Sequence, residues 1–397
     1  MGCDVSSPIA GTIGPAAGVL GPQSWDQGPA SHQGYRVATL DSVADLEPQS
    51  WNRLVLAAQG SVFHSHQWLS AFEEAGPGTF QAAHLAAYDG PRLIGLCPAF
   101  LTHRCPRLEH LVSLARSVRL ELGGPVLLAH NLAALAGGFL VEPGHEAAIS
   151  VLAEAFEHEA ARLGAWAWGF ASLPESPLVG RLIRSGYAVA QISTTYRLEV
   201  RWPDAGSYWA DMDSRHRRRL LRERRKGSGR GLRAWTGAAP SDAGLPLVRE
   251  LMTAHRTPLE ILPDAFLRAL DSHLGDLERS VMAQTGDGRL RGVFKGWLFG
   301  DVWSVWIAGL DLEALNRYEP YHALMAEAAE SAIGAGIGVV DLGRSNGPIK
   351  QRYGASGHPL YLAVRAHSPA DQALLHAWCA DLERATLDGV EGPERCC

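Results

Sequence analysis

The sequence predicts an α/β protein made of two similar domains in tandem, each a mixed β-sheet flanked by helices. The chain has 397 residues with 46% hydrophobic content, which is enough to bury the cores of two domains. Helical and strand periodicities alternate along it, as expected for packed α/β layers. The same order of helix, hairpin, helix and strand recurs after about 200 residues, a period far too long for a solenoid.

The tandem arrangement divides the chain into four predicted segments. Residues 1–33 are rich in Gly, Pro, Ala and Ser without periodicity, which indicates disorder. The first domain is predicted over residues 34–203 and the second over residues 204–367. Residues 368–397 are predicted to form a C-terminal helix and tail.

The first half shows strand and helix patterns in a definite order. Asp89-Gly90 between two apolar runs is a strong hairpin signal. The predicted elements are a strand at Tyr35–Leu40, helices at Pro48–Ala58 and Ser65–Ala75, hairpin strands at His84–Tyr88 and Arg92–Leu101, a helix at His145–Leu163 and a strand at Ala165–Phe170.

The second half repeats that order. Asp287-Gly288 stands where Asp89-Gly90 stands in the first half, and a helix that ends near Gly336 again leads to a strand. The predicted elements are a helix at Pro263–Leu274, hairpin strands at Ser280–Gln284 and Arg289–Phe299, a further strand at Val302–Ala308, a helix at Tyr321–Ala335 and a strand at Val339-Val340.

Composition bears on whether the chain is a membrane, secreted or metal-binding protein. No run approaches 18 consecutive apolar residues and the start lacks the pattern of a secretory signal, so no transmembrane segment is expected. The six cysteines show no paired spacing, which favours neither a disulfide framework nor a metal site. These features predict a cytoplasmic location, and they leave the oligomeric state undetermined.

The charge is concentrated in one short segment. Between Arg215 and Arg233 lie ten Arg or Lys residues and one acid, Glu223, although the whole chain carries a net charge of −6. The part from Arg215 to Lys226 contains no Pro or Gly, which predicts a helix that is basic on nearly every side. Such a helix needs a negative partner, either tRNA, coenzyme A phosphates or anionic lipid. The alternative is a solvated face that pairs with acids elsewhere in the chain.

Polar residues follow the last predicted strand of the second half. Asp341, Arg344 and Ser345 come directly after Val339-Val340, and Lys350 and Tyr353 lie a few residues further on. Catalytic groups are often placed on loops that leave a buried strand, so this stretch is the candidate site. The alternative is a surface loop in which Asp341 is a turn acid, Arg344 forms an ion pair with it, and Lys350 is a surface lysine.

Three local patterns carry a family resemblance over about residues 35–366. They are Phe63-His64-Ser65-His66-Gln67-Trp68-Leu69, the arginine run from Arg217 to Arg233, and Ile349-Lys350-Gln351-Arg352-Tyr353-Gly354. Together with the doubled unit they resemble the FemABX peptidyltransferases and their FemAB-like or BioF2-like relatives, which have two tandem GNAT-like domains.

This resemblance implies an N-acyltransferase in which a substrate amine attacks an activated acyl or aminoacyl donor directly, in cell-wall or natural-product biosynthesis. The sequence shows no nucleophile elbow and no Cys-His signature that would favour a covalent enzyme intermediate. The expected co-substrate is aminoacyl-tRNA or acyl-CoA, with no tightly bound cofactor and no metal. The expected acceptor is an amine-bearing small molecule or peptide.

Candidate residues are assigned from residue type and from the matched motifs. Lys350 would supply a cation, Asp341 would accept from the incoming amine, and Tyr353 belongs to the same closing motif. The tryptophans of the predicted strand Val302–Ala308 are expected either in the core or in the wall of a cleft. The substrate-binding candidates are Arg344, Ser345, Trp303, Trp306, Tyr321 and His322, and the donor-phosphate candidates are Arg215, Arg218, Arg222 and Arg225.

The donor remains open at the level of sequence. The Q/R-x-x-G-x-G/A loop with which GNAT enzymes bind pyrophosphate is missing at Asn316–His322, which favours aminoacyl-tRNA. The long helical arm of the cell-wall Fem enzymes is also missing from the predicted elements. Two alternatives to an aminoacyl-tRNA-dependent transferase therefore stay open. One is an acyl-CoA-dependent N-acetyltransferase of a small molecule, and the other is a non-catalytic protein that binds RNA or an acidic partner.

Overall fold

The computed structural model describes residues 34–239 and 241–388. The segment predicted to be disordered, residues 1–33, lies outside the described residues. Within the described ranges no helix combines the length and the apolar composition needed to cross a bilayer.

The first half begins with a strand and two helices, as predicted. Its strands are β1 (Tyr35–Leu40), β2 (Thr79–Ala82), β3 (His84–Asp89), β4 (Arg92–Cys97), β5 (Ala99–Arg104), β6 (Val126–Ala129), β7 (Leu140–Val141), β8 (Ala167–Pro174) and β9 (Ala188–Glu199). Its helices are α1 (Pro48–Ala57), α2 (His66–Ala75), α3 (Pro106–Leu114), α4 (Ala148–Arg162) and α5 (Pro177–Arg184).

The second half opens with two helices before its first strand. The helices are α6 (Ala205–Asp211), α7 (Ser214–Ser228), α8 (Ser241–Ala254), α9 (Asp264–Leu274), α10 (Leu315–Tyr318), α11 (Pro320–Gly334), α12 (Gly347–Arg352) and α13 (Pro369–Leu387). The strands are β10 (Arg233–Gly237), β11 (Ser280–Gln284), β12 (Leu290–Phe299), β13 (Val302–Leu310), β14 (Val339–Asp341) and β15 (Ser356–Ala366).

The two halves share one long sheet. Eleven strands run in the order β10-β11-β12-β13-β14-β9-β15-β8-β6-β5-β2, and a separate four-stranded sheet has the order β1-β3-β4-β7. Strand β9 of the first half lies between β14 and β15 of the second half. The predicted boundary between residues 203 and 204 stays a prediction, because backbone pairing crosses it on both sides of β9.

An aromatic cluster joins the halves on one face of the sheet. Ser65 caps α2 by accepting a hydrogen bond from the backbone N–H of Trp68. The Trp68 ring is fully buried, with its centroid 5.7 Å from that of Trp297 and 5.0 Å from that of Trp306. A tryptophan of the first half therefore packs against β12 and β13 of the second, and this contact fixes the relative position of the two halves.

Two predicted elements differ from the structure in an informative way. The run Arg92–Leu101 is divided into β4 and β5 at Pro98, where the chain leaves the small sheet and joins the large one. The basic helix is present as α7, but it is not basic on every side. Leu220 is buried, and Arg224 forms a two-bonded ion pair with Glu330 of α11 at 2.5 and 2.7 Å.

Candidate functional site

The strands β13 and β14 separate after a short parallel contact. They pair only from Val302 with Val339 to Ser304 with Asp341, and β13 then continues to Leu310. Among the described residues, the part of β13 beyond Ser304 therefore pairs with β12 alone. This edge presents backbone polar groups that are not used in the sheet on that side.

Gly343 marks the point where the two strands diverge. Its φ is +71°, and a Cβ at this position would lie 2.6 Å from the carbonyl oxygen of Val305. Only glycine allows the backbone to pass β13 so closely in this conformation. Ser345 and Asn346 follow with φ of +64° and +55°, and left-handed residues other than glycine carry strain of the kind found at functional sites.

The separated strands open onto a cleft of about 540 Å³ between the halves. Trp306, Ile307 and Ala308 of β13 form one wall, and the opposite side comes from the first half and from α8. The cleft also includes Tyr321 of α11 and the loop after β14, with Arg344, Ser345 and Asn346. Four of the six predicted substrate-binding residues, namely Arg344, Ser345, Trp306 and Tyr321, are thus brought together.

Two contacts hold the base of this cleft. The indole N–H of Trp306 donates to the carbonyl oxygen of Ala133 at 2.9 Å, and Nη2 of Arg344 donates to that of Ala134 at 2.8 Å. Arg344 also donates to the Ser172 hydroxyl at 3.1 Å. Arg344 therefore connects the loop after β14 to the first half.

Asp341 acts as a turn acid at the end of β14. Its carboxylate accepts hydrogen bonds from the Thr195 hydroxyl at 2.5 Å, the Arg197 guanidinium at 3.2 Å and the backbone N–H of Gly343 at 2.9 Å. The side chain is buried, with 3% exposed. Asp341 is thus a turn acid, as in the alternative raised from the sequence, with Arg197 as its charge partner.

Lys350 lies beneath the loop rather than on the surface. It is 3% exposed, and its ammonium donates to the carbonyl oxygens of Gly343 and Arg344 at 3.1 and 2.5 Å. The ammonium also lies 5.5 Å from the centre of the Tyr196 ring. The surface-lysine alternative is wrong, because Lys350 is buried and its hydrogen bonds to these carbonyl oxygens support the loop.

Tyr353 is fully buried on the far side of α12. Its hydroxyl donates to the carbonyl oxygen of His322 at 3.1 Å and lies 3.2 Å from Nδ1 of the same residue. Burial raises the pKa of Tyr353 well above its ordinary value and lowers that of His322. The catalytic roles assigned to Lys350, Asp341 and Tyr353 stay predictions, and the contacts favour positioning roles for all three.

Trp303 lies on the opposite face of β13 from Trp306. It is fully buried in the second-half core, and its indole N–H donates to the carbonyl oxygen of Arg279 at 2.6 Å. The period of two along a strand separates these tryptophans. A substrate-binding role for Trp303 therefore has to act through the core, whereas Trp306 faces the cleft.

The donor-phosphate candidates form a stripe on α7, which we call the arginine stripe. It consists of Arg215, Arg218, Arg219, Arg222 and Arg225, all exposed, along one side of the helix. The inward-facing Lys226 pairs with Glu319 at 2.5 Å, just before the first residue of α11. The stripe therefore runs beside the first residues of α11.

Several cleft residues were not expected from the sequence. They are Arg107 and His110 of α3, Arg116, Ser193 of β9, and the His255-Arg256 pair after α8. Burial lowers the pKa of His110 and of His255, with Arg107 adding to the effect on His110. No local motif marks these residues, because they come from three separate segments of the chain.

Comparisons with known proteins agree with this architecture. Residues 214–354 match the family model described as an acetyltransferase (GNAT) domain. The sequence has no significant match among curated proteins.

Two solved structures share the fold over most of this chain. A FemX crystal structure is 9% identical, with a TM-score of 0.57, over 80% of this chain and 96% of that one. A tandem GNAT protein from the clavulanic acid biosynthesis pathway is 13% identical, with a TM-score of 0.51, over 84% and 99% of the respective chains. At these identities the likeness concerns the fold. The predicted architecture is thereby confirmed: the chain has the fold of tandem GNAT proteins, and its second half matches an acetyltransferase (GNAT) domain.

Proposed function

We propose that the protein is an N-acyltransferase in which a substrate amine attacks an activated acyl donor at the open edge of β13. The observation that carries this proposal is the separation of β13 from β14 beyond Ser304, at the wall of a cleft of about 540 Å³. Backbone N–H groups at such an edge are suited to stabilise the oxyanion that forms when the amine adds to the carbonyl. The reaction then needs no nucleophile from the protein.

The attacking amine must lose a proton, and the cleft supplies candidate acceptors. Burial lowers the pKa of His255, so its imidazole is neutral at pH 7 and able to take a proton. His110 has a lowered pKa for the same reason and lines the same cleft. If His255 is the base, His255→Asn should remove the acidic limb of the pH–rate profile, and an unchanged profile would exclude this role.

For the donor we favour aminoacyl-tRNA, with acyl-CoA as the alternative. The arginine stripe supports a polyanion, since five exposed guanidinium groups exceed what one coenzyme A needs. The start of α11 also lacks a glycine-rich loop, and Glu319 precedes its first residue. A carboxylate at this position disfavours a pyrophosphate there.

Label transfer tests the activity directly. The purified protein would be incubated with a mixture of amines and either radiolabelled aminoacyl-tRNA or labelled acyl-CoA. We expect an amide product with one of the two donors, and the donor that labels it identifies the class. Absence of product with both donors over a broad amine panel would argue against the proposal.

A pair of variants assigns the product to the cleft. Ala308→Trp adds a bulky side chain to the cleft wall and should abolish transfer. Arg184→Gln, at an exposed position on α5, should leave transfer unchanged. Melting curves of both variants would verify that the fold is retained.

A further inference from the structure

The charged side chains that line the cleft all have the same sign. The basic lining residues are Arg107, His110, Arg116, His255, Arg256 and Arg344, and no Asp or Glu is among the described lining residues. Arg116 and Arg256 are exposed at its rim. In a protein with more acids than bases, an acid-free cleft with four arginines attracts anions.

The body of the cleft is apolar. Its apolar lining includes Leu132 and Leu135 of the first half, Val248 and Leu251 of α8, and Ile307 of β13. A cleft with an apolar interior and a few polar groups at its rim is typical of sites for small organic ligands.

A buried serine hydroxyl in the cleft wall lacks a hydrogen-bond partner among the described residues. Ser193 of β9 is 3% exposed and lines the cleft, and among the described residues its hydroxyl has no hydrogen-bond partner. A buried hydroxyl without a partner costs free energy, which a ligand atom could recover by bonding to it. This hydroxyl is a second indication that the cleft is a binding site.

We infer that the cleft binds the acceptor, and that the acceptor is an amphipathic anion: an amine with an apolar body that also carries a carboxylate or phosphate. This inference rests on the proposed function, which places the attacking amine at β13. An amine without an anionic group would be repelled by the four arginines when protonated. An acidic group on the same molecule offsets this repulsion and pairs with the arginine forks.

Two fluorescent probes of nearly the same shape test the charge requirement without turnover. They are 8-anilinonaphthalene-1-sulfonate, which is anionic, and N-phenyl-1-naphthylamine, which lacks the sulfonate. We expect saturable binding of the anionic probe. The combined variant Arg107→Gln, Arg116→Gln and Arg256→Gln should weaken that binding about tenfold or more, with little effect on the neutral probe.

A matched control removes the same charge elsewhere. Arg53, Arg184 and Arg268 are exposed and lie outside the cleft, so their combined change to Gln should leave both probes unaffected. Equal weakening by the two triple variants would show that net charge alone governs binding, and it would overturn the inference. An anionic probe that does not bind the wild-type protein would do the same.

Competition experiments identify the source of the anion. Octanoate or octyl phosphate should displace the anionic probe, whereas octylamine should not, and the stronger of the first two indicates the carboxylate or the phosphate class. Displacement by coenzyme A at low concentration, without displacement by octanoate, would assign the cleft to the donor and overturn the inference. Probe binding that persists in a protein without transferase activity would contradict the proposed function but not the charge preference of the cleft.

Discussion

At the scale of single residues, the loop after β14 depends on a buried cation. Lys350 donates to two consecutive carbonyl oxygens, those of Gly343 and Arg344, just before the left-handed residues Ser345 and Asn346. Buried carbonyl groups that lose their donor are costly. The ammonium therefore stabilises a strained turn at the cleft, and the sequence alone suggested only a charge near the reacting atoms.

Removing that ammonium should affect both stability and rate. We expect Lys350→Ala to lower kcat/KM by about 10²-fold, because the loop that carries Arg344 and Ser345 would lose its support and these residues would be misplaced. From the sequence, the melting temperature would be expected to stay unchanged. Because Lys350 is buried, we now expect it to fall, with a loss of about 2–4 kcal/mol in the free energy of unfolding. Lys350→Met, which keeps most of the volume, separates the loss of the ammonium from the loss of packing, and wild-type stability and turnover in that variant would contradict the assignment.

Arg344 gives a second test at this scale. Its guanidinium spans from the cleft to the first half through Ala134 and Ser172. Arg344→Lys keeps the charge but loses the planar guanidinium, which can form two parallel hydrogen bonds. We therefore expect KM to rise about tenfold and kcat to fall by less than that. Arg197→Lys is the matched control, because Arg197 pairs with Asp341 and does not line this cleft. A lower melting temperature with unchanged KM would make Arg344 a purely structural residue.

At the scale of elements, α7 has two different sides. Arg217 and Arg224 face the protein and bond to Trp209, Ala210 and Glu330, whereas the arginine stripe faces solvent. The sequence predicts a helix here but cannot separate these sides. The separation depends on which side of the helix packs against α11.

Binding of tRNA should depend on the stripe and on salt. If its arginines neutralise phosphates, log K falls steeply with log salt concentration, and replacing Arg218, Arg222 and Arg225 by Gln lowers the slope by about one unit per lost contact. The variant with Arg53, Arg184 and Arg268 changed to Gln serves as the control, since these residues are on other helices. Absence of tRNA binding at about 50 mM salt, with acylation from acyl-CoA, would contradict the tRNA proposal.

The elements themselves were largely predictable, and the exceptions have physical causes. Tyr35–Leu40 and Ser280–Gln284 agree residue for residue, because turn residues bound clear strand patterns. The division of Arg92–Leu101 at Pro98 was not predicted, since it depends on a strand changing sheets. Likewise, the position of β9 between β14 and β15 depends on pairs of residues at least 140 positions apart in the sequence. Local patterns do not contain this information.

At the scale of the whole molecule, the cleft is assembled from distant segments. The residues after β14 were found because they follow a strand directly. Arg116, Ser193 and His255 were not, because each lies in a separate part of the chain and meets the others only in the folded protein. The local sequence therefore identifies one wall of the candidate site, and the fold determines the other.

The first half also contains buried histidines that couple folding to pH. His64 and His130 are fully enclosed, with ring centroids 5.0 Å apart, and Nε2 of His130 donates to the carbonyl oxygen of Phe63 at 2.7 Å. Burial lowers the pKa of His64 to about 4, and burial with the nearby His64 lowers that of His130 well below its ordinary value. Both imidazoles are therefore neutral in the folded protein over a pH range where the unfolded chain takes up protons.

Stability should consequently fall as the pH is lowered from about 6.5, the ordinary histidine value, to about 4, where His64 titrates in the folded state. Each histidine contributes a slope of up to about 1.4 kcal/mol per pH unit in this window. Urea unfolding at a series of pH values would measure it. His64→Gln should be less stable at pH 7.5, but its free energy of unfolding should change less steeply with pH, by the contribution of about one proton. A change of the exposed His103 to Gln should not alter this pH dependence. If the His64 variant and the wild-type protein keep the same pH dependence, carboxylates rather than this histidine pair control the acid sensitivity of the fold.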